Sequence, residues 1–276
     1  MKAADIEQIE VDLLLEAIYR RYGYDFRSYA RASIDRRLKQ FLPRSGCATV
    51  GELIPKALRK PDFFAELARQ FSIPVTEMFR DPEVYLALRE NVLPLLRTWP
   101  RFKVWHAGCA TGEEVYSMAI LLKEEGLYER ATLYATDFNE EALARARAGI
   151  YEIDKLRDAT RNHQLAGGHG SLSDYYHAAY GAVAIDAALK ERIVFSSHNL
   201  ATDNAFGEMH LILCRNVLIY FNRELQDRAL GLFTESLSHG GFLCLGTKED
   251  LRFSDVAAPS ATVDRGARIY KKRGSA

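Results

Sequence analysis

The chain reads as an α/β protein, a mostly parallel sheet domain preceded by an all-helical region and interrupted by a small β insertion. Three observations predict this. Up to about residue 90, apolar residues recur at helical spacing. From Phe102 onward, strand-like and helix-like runs alternate, the rhythm of a parallel sheet covered on both faces. Between the first strand and the next helix, the chain turns through two glycines, Gly108 and Gly112, straight into Glu113-Glu114.

The elements follow in order. Ile6, Ile9, Leu13, Leu14, Ala17 and Ile18 mark a first helix, stopped at Gly23. A second is expected from Phe26 to Phe41, ended by Pro43 and Gly46. Thr49 caps a third through Leu58, and Pro61-Asp62 starts a fourth that reaches Phe71. Pro74 interrupts; Asp81-Pro82 then opens a long helix to about Leu96, although it contains Pro94. Strands are expected at 102–107, 131–136, 192–197, 209–214 and 241–246, with helices at 139–148 and 223–238. Ser260 to Val263 and Ala267 to Lys271 form a closing strand pair. The segment from about 151 to 191 breaks the rhythm with Gly167, Gly168 and Gly170 and an aromatic stretch, Tyr175 to Val183. It reads as a β-rich insertion. The expected division is 1–90 for the helical domain and 91–276 for the sheet domain.

With 276 residues, 48% of them hydrophobic, the chain can bury a substantial core. The 37 basic and 37 acidic residues cancel, so no global charge points to nucleic acid or an anionic membrane. The four cysteines are scattered, without a CxxC pair, which argues against zinc and for a reducing compartment. Met1 to Glu16 is acidic and amphipathic rather than a signal peptide, and no apolar run approaches the roughly 20 residues of a bilayer span. The expectation is a soluble, cytoplasmic, monomeric protein with no metal.

The chemistry starts at the glycine turn. Glycines let a ligand approach the backbone, and the N–H groups of a helix start point outward. Two carboxylates stand there with no basic partner in the turn, so a phosphate is repelled and an amine or sulfonium attracted. A tight turn with an acidic helix start is the plainer alternative. Asp137 ends the following strand, where an acidic residue takes ribose hydroxyls; capping the helix at Asn139 is its plainer role. Together they describe an adenosine with a cationic, amino-acid-like tail, which is S-adenosylmethionine. Thr76 and Arg80, four apart, could share a helix face. Arg215-Asn216 follows the apolar run ending at Cys214, at the carboxyl end of a strand where ligand groups cluster.

Four ordered blocks then carry a resemblance: Thr76 to Arg80, Gly108 to Glu114, Ala135-Thr136-Asp137, and Cys214 to Phe221. The chain resembles the CheR family of chemotaxis-receptor glutamate methyltransferases, from Tyr22-Gly23-Tyr24 to Arg268-Ile269-Tyr270. The resemblance implies a Rossmann-like class I methyltransferase sheet and S-adenosylmethionine as cofactor, with S-adenosylhomocysteine as product. It implies that Glu114 binds the cofactor's amino group and Asp137 its ribose. Asn199 and Leu200 would lie around the adenine, and Thr76, Arg80, Gly108, Arg215 and Asn216 would line the cofactor pocket. Arg80 and Tyr220 would lie beside the methyl group. Many members carry Asn where this chain has Pro74. The implied partners are the acidic methylation helices of chemoreceptors, and the basic residues Arg27, Arg31, Arg36 and Arg37 would contact them, with Arg27, Arg31 and Arg37 on one side of a helix. The insertion resembles a β-subdomain that tethers a receptor tail in some members.

Methylating a carboxylate needs no general base, since Glu is ionised at neutral pH. The sequence accordingly offers no His–carboxylate pair in the expected site. A non-catalytic cofactor-binding signalling module, a methyltransferase for another substrate and a nicotinamide-dependent oxidoreductase are the rival readings.

Overall fold

The computed structural model describes residues 3–71, 76–251 and 260–273. The chain divides into two compact units, Met1–Ile73 with Tyr220–Gln226 and Pro74–Ile219 with Asp227–Ala276. The helical unit therefore ends well short of residue 90. The helix that begins at Pro82 belongs to the sheet unit.

In the helical unit, α1 (Ala3–Tyr22), α2 (Arg31–Ser45), α3 (Leu53–Arg59) and α4 (Pro61–Phe71) enclose one core. Val11, Leu14, Leu15 and Ile18 of α1 are buried with Phe26, Ile34, Leu38, Phe41, Leu53, Phe64, Leu67 and Phe71. Tyr22 stacks on Phe64 with ring centroids 3.7 Å apart. Three of the expected stripe residues are not in this core. Ile6, Ile9 and Leu13 are 45%, 46% and 55% exposed. At 100° per residue they lie about half a turn from the buried set, so one helix cannot bury both groups against one neighbour. Helix α2 starts later than expected, at Arg31: residues 27 and 28 form a turn, and Tyr29 pairs with Phe221 as an isolated antiparallel bridge. It also runs through Pro43, and Gly46 stops it in the left-handed conformation, φ 63°.

In the sheet unit, α5 (Pro82–Asn91) breaks at Val92 before α6 (Leu93–Leu96). Pro94 lacks an N–H and crowds the carbonyl four residues back, so one continuous helix does not form. The central strands are β1 (Phe102–Ala107), β2 (Ala131–Asp137), β6 (Ile193–Ser197), β7 (Met209–Cys214) and β8 (Leu237–Leu245), closed by β9 (Ser260–Asp264) and β10 (Ile269–Lys272). Their order is β6-β2-β1-β7-β8-β10-β9. The first five are parallel, and β10 and β9 are antiparallel. Helix α7 (Glu113–Glu124) is buried from Val115 to Leu122. Helices α8 (Glu140–Ala148) and α10 (Arg223–Ser236) complete the alternation.

The insertion holds β3 (Ile150–Glu152), β4 (Tyr176–Ala179) and β5 (Ala182–Ile185) in a separate antiparallel sheet, order β3-β5-β4. Tyr180 and Gly181 both have positive φ, 52° and 76°, as a two-residue turn between twisted strands requires. The insertion also contains a helix that the periodicity does not reveal, α9 (Leu156–Leu165). Only Ala159 and His163 of α9 are buried, so it carries no apolar stripe to read. What secures it is polar. Arg89 of α5 pairs with Glu124 and, at 2.7 Å, with Glu125. His163 of α9 meets the same Glu124 at 2.7 Å. Arg89 also donates to the Ala166 carbonyl at 3.0 Å.

Candidate functional site

The carboxyl ends of β1, β2, β6 and β7 lie side by side, and the sheet's order reverses at β1, which pairs with β2 on one side and β7 on the other. Open α/β sheets bind ligands at such a reversal. The glycine turn follows β1. Gly108 and Gly112 have φ of 82° and 92°, values that a side chain strains. A Cβ on Gly108 would stand 2.6 Å from Val217 Cγ2, so the bare backbone there is a packing requirement too. The Gly108 and Cys109 N–H groups donate to the Thr136 carbonyl at 2.8 and 2.9 Å, tying the turn to β2.

Asp137, at the end of β2, is 8% exposed. One carboxylate oxygen accepts the Ala110 N–H and the other the Asn139 N–H, both at 2.9 Å. Burial pushes this carboxyl up from the ordinary aspartate range, opposed by those backbone donors. The capping role goes to Asn139, whose Oδ1 accepts from Glu141 and Ala142. Asp137 thus braces the turn and keeps lone pairs over. The His198 N–H donates to the Asp137 carbonyl at 3.2 Å, which brings the Asn199-Leu200 loop to the same end of the sheet. Asn199 Oδ1 accepts the Ala201 N–H at 3.0 Å, and Leu200 is buried.

Glu114 has basic partners after all. Its Oε1 lies 2.9 Å from His106 Nδ1, and its Oε2 accepts from Arg215 Nη1 at 3.2 Å. Two expectations are corrected here: the carboxylates do not stand without cations, and a His–carboxylate pair exists. One partner, His106, comes from β1, eight residues earlier, and the other, Arg215, from the end of β7, far from Glu114 in sequence. Although burial opposes its ionisation, His106 and Arg215 hold the Glu114 carboxyl below the ordinary glutamate range. Arg215 Nη2 also donates to Asp81 Oδ2 and to the Arg80 carbonyl, each at 2.8 Å. Glu113 faces elsewhere: it is buried, and it accepts from Thr111 Oγ1 at 2.7 Å.

Thr76 to Arg80 is a turn, so Thr76 and Arg80 share no helix face. Both line a cavity of about 340 Å³ with Glu113, Tyr151, Tyr175 and Ile185, whereas Gly108, Asp137 and Asn199 are not part of its lining. Pro74 lies outside the described residues. Asn216 follows Arg215 with a positive φ of 61°. Tyr220 belongs to the helical unit, where the Arg37 guanidinium lies 4.7 Å from its ring centroid.

The basic face is smaller than the sequence suggests. Arg37 is 3% exposed, packed with Ile34, Leu38 and Phe41 and donating to the Gln70 carbonyl at 2.9 Å, so it is no free surface cation. Arg27 lies outside α2 and pairs with Asp25 and Glu16, at 2.8 and 2.9 Å. Arg31 pairs with Asp35 at 3.0 Å and with Asp12. Arg36 is exposed.

Sequence reasoning passed over His106, Asp81 and Glu249. A histidine inside an apolar strand, eight residues before Glu114, was the available signal for the first.

The two units correspond to known families. Residues 9–72 match the model of the CheR methyltransferase all-alpha domain, and residues 74–264 that of the CheR methyltransferase SAM binding domain. The chain is 53% identical over 264 residues to a protein named putative methyltransferase Cher3 of Pseudomonas putida, covering 96% of this chain and 97% of that one. It is 30% identical over 254 residues to a chemotaxis protein methyltransferase of Listeria monocytogenes, covering 89% of this chain and 92% of that one.

Proposed function

This chain belongs to the CheR methyltransferase family, and from that premise we propose that it methylates glutamate side chains of chemoreceptor methylation helices, in the cytoplasm, using S-adenosylmethionine. The observation that supports this best is the pairing of two differently held carboxylates, Asp137 and Glu114, around a bare glycine turn. The residues fit the cofactor. Asp137 has spare acceptor capacity for hydroxyls, and Glu114, kept ionised by His106 and Arg215, suits an ammonium. When bound, S-adenosylmethionine would supply a sulfonium-borne methyl group that a carboxylate oxygen can attack, with the thioether of S-adenosylhomocysteine as the leaving group.

The chain's own part is positioning. Gly108 gives the ligand a bare floor. Asn199 and Leu200 stand at the next strand end, where an adenine would lie. Arg215 spans Glu114, Asp81 and the Arg80 carbonyl, and so fixes the end of the Thr76–Arg80 turn. We assign Arg80 and Tyr220 to the incoming carboxylate, one by charge-assisted hydrogen bonds and the other by its hydroxyl. His106 is wholly buried and engaged with Glu114, so it holds that carboxylate and takes no proton from substrate.

Two measurements test this together. Calorimetry should show binding of S-adenosylhomocysteine and none of NAD. Radiolabel from S-adenosylmethionine should pass to receptor cytoplasmic fragments as a base-labile ester. Cofactor binding without any transfer would favour the non-catalytic signalling module instead.

A further inference from the structure

The loop from Arg215 to Ile219 is held from a direction that the cofactor reading does not use. Glu249, just beyond β8, is 5% exposed, and its carboxylate is given over to backbone N–H groups. Oε2 accepts from Gly246 at 2.6 Å and from Asn216 at 3.1 Å. Oε1 accepts from Ile219 at 3.2 Å, and Leu218 adds a further backbone hydrogen bond. A carboxylate is the one side chain that presents acceptors only, on two oxygens, to such a ring of donors. Asn216 sits in the left-handed region, a conformation that a non-glycine residue keeps only when its surroundings impose it. Gly246 completes the clamp: a Cβ there would stand 2.7 Å from both the Asn216 nitrogen and Glu249 Oε2. On its other side the loop is stopped by Gly108, whose missing Cβ leaves room for Val217.

We propose that Glu249, with Gly246, is a positioning residue for methyl transfer: it fixes the Arg215–Ile219 loop so that Arg215 and Asn216 meet the cofactor. This rests on the cofactor reading above. The loop lies between β7 and α10, and one anionic group satisfies the N–H groups of Asn216, Leu218 and Ile219 at once. Replacing one oxygen of Glu249 by an NH₂ turns an acceptor into a donor aimed at donors. The side chain's volume hardly changes.

The experiment compares wild type with Glu249→Gln, Gly246→Ala and, as a control, Asp250→Asn. Asp250 is the neighbour that pairs with Arg268 at 2.6 Å, away from the loop. Three readouts are taken: amide hydrogen exchange at 216–219, affinity for S-adenosylhomocysteine, and kcat on receptor fragments. Glu249→Gln and Gly246→Ala should speed exchange at those amides and weaken S-adenosylhomocysteine binding about tenfold or more, with kcat falling similarly. Asp250→Asn should lower the melting temperature with all three readouts at wild-type values. The exchange measurement needs no ligand, so it judges the clamp even if wild type binds no cofactor, which would sink the cofactor reading separately. If Glu249→Gln keeps wild-type exchange, or loosens the loop with undiminished affinity and kcat, the proposal is overturned.

Discussion

Asp137 is buried and Glu114 half-buried, yet their surroundings move the two carboxylates in opposite directions. Asp137 has only backbone donors to offset burial, so its carboxyl is raised, whereas Glu114 has a histidine and an arginine and is lowered. The sign follows. A raised carboxyl picks up its proton earlier on acidification, so Asp137 loses its charge at a higher pH than a free aspartate and Glu114 at a lower one. Affinity for S-adenosylhomocysteine should therefore weaken on acidification from above the ordinary aspartate range, and Asp137→Asn should remove that dependence while lowering affinity at neutral pH. A wild-type affinity that is flat down to pH 4 would take Asp137 out of the ribose role. Arg80 allows a complementary test: Arg80→Ala should cut kcat by about a hundredfold while leaving S-adenosylhomocysteine affinity within about threefold, if its side chain serves the incoming carboxylate alone. Gly108→Ala should weaken cofactor binding because its Cβ strikes Val217, and Val217→Ala should recover part of the loss; no recovery would mean that the positive φ of Gly108 dominates.

The elements that sequence periodicity reveals are those held by apolar packing. Strand β1, helix α7 and strand β7 are buried on nearly every face, and their apolar runs say so. Helix α9 is held by charge: Arg89, Glu124 and His163 come from three helices that no local pattern connects. The same reason hid Arg215, which reaches Glu114 from the end of the neighbouring strand β7. What the sequence does show of the site is its strand ends, because chemistry-bearing residues there follow directly on readable apolar runs. The charged cluster makes a prediction of its own. Although burial opposes ionisation, His163 and Arg89 keep the Glu124 carboxyl lowered, so its stabilising contribution is present above the unfolded-state value near 4.5 and is lost as pH falls through the lower folded one. Glu124→Gln removes the anion that Arg89 and His163 share, with Arg89 keeping Glu125, and should cost roughly 1–3 kcal/mol at neutral pH. Chemical denaturation should report that loss, and limited proteolysis should cut within 150–190 faster than in wild type. Equal proteolysis rates would show that the small sheet, rather than the charge cluster, secures the insertion.

At the scale of the whole molecule, charge is balanced globally and largely balanced locally as well. The helical unit is rich in arginine, but α1 contributes Asp12 and Glu16 as partners for Arg31 and Arg27. Arg27 and Arg31 are already committed to carboxylates of their own unit, and Arg37 is buried beneath Tyr220. This changes which substitution can report on docking to an acidic receptor helix. Reversing Arg31 would set a carboxylate beside Asp12 and Asp35 and disturb the packing of α1 on α2, so a loss of activity there would be ambiguous. Arg36 is exposed and stands at the centre of α2, so Arg36→Glu alters the field presented to a partner with the core untouched. Long-range attraction acts on the encounter and is screened by salt. Arg36→Glu should therefore lower kcat/KM on receptor fragments about fivefold at low ionic strength, with kcat nearly unchanged, and the difference should shrink as salt rises to about 0.5 M. A defect of the same size at every ionic strength would mean that Arg36 makes a short-range contact. No defect at any ionic strength would place the receptor-facing surface away from α2 altogether.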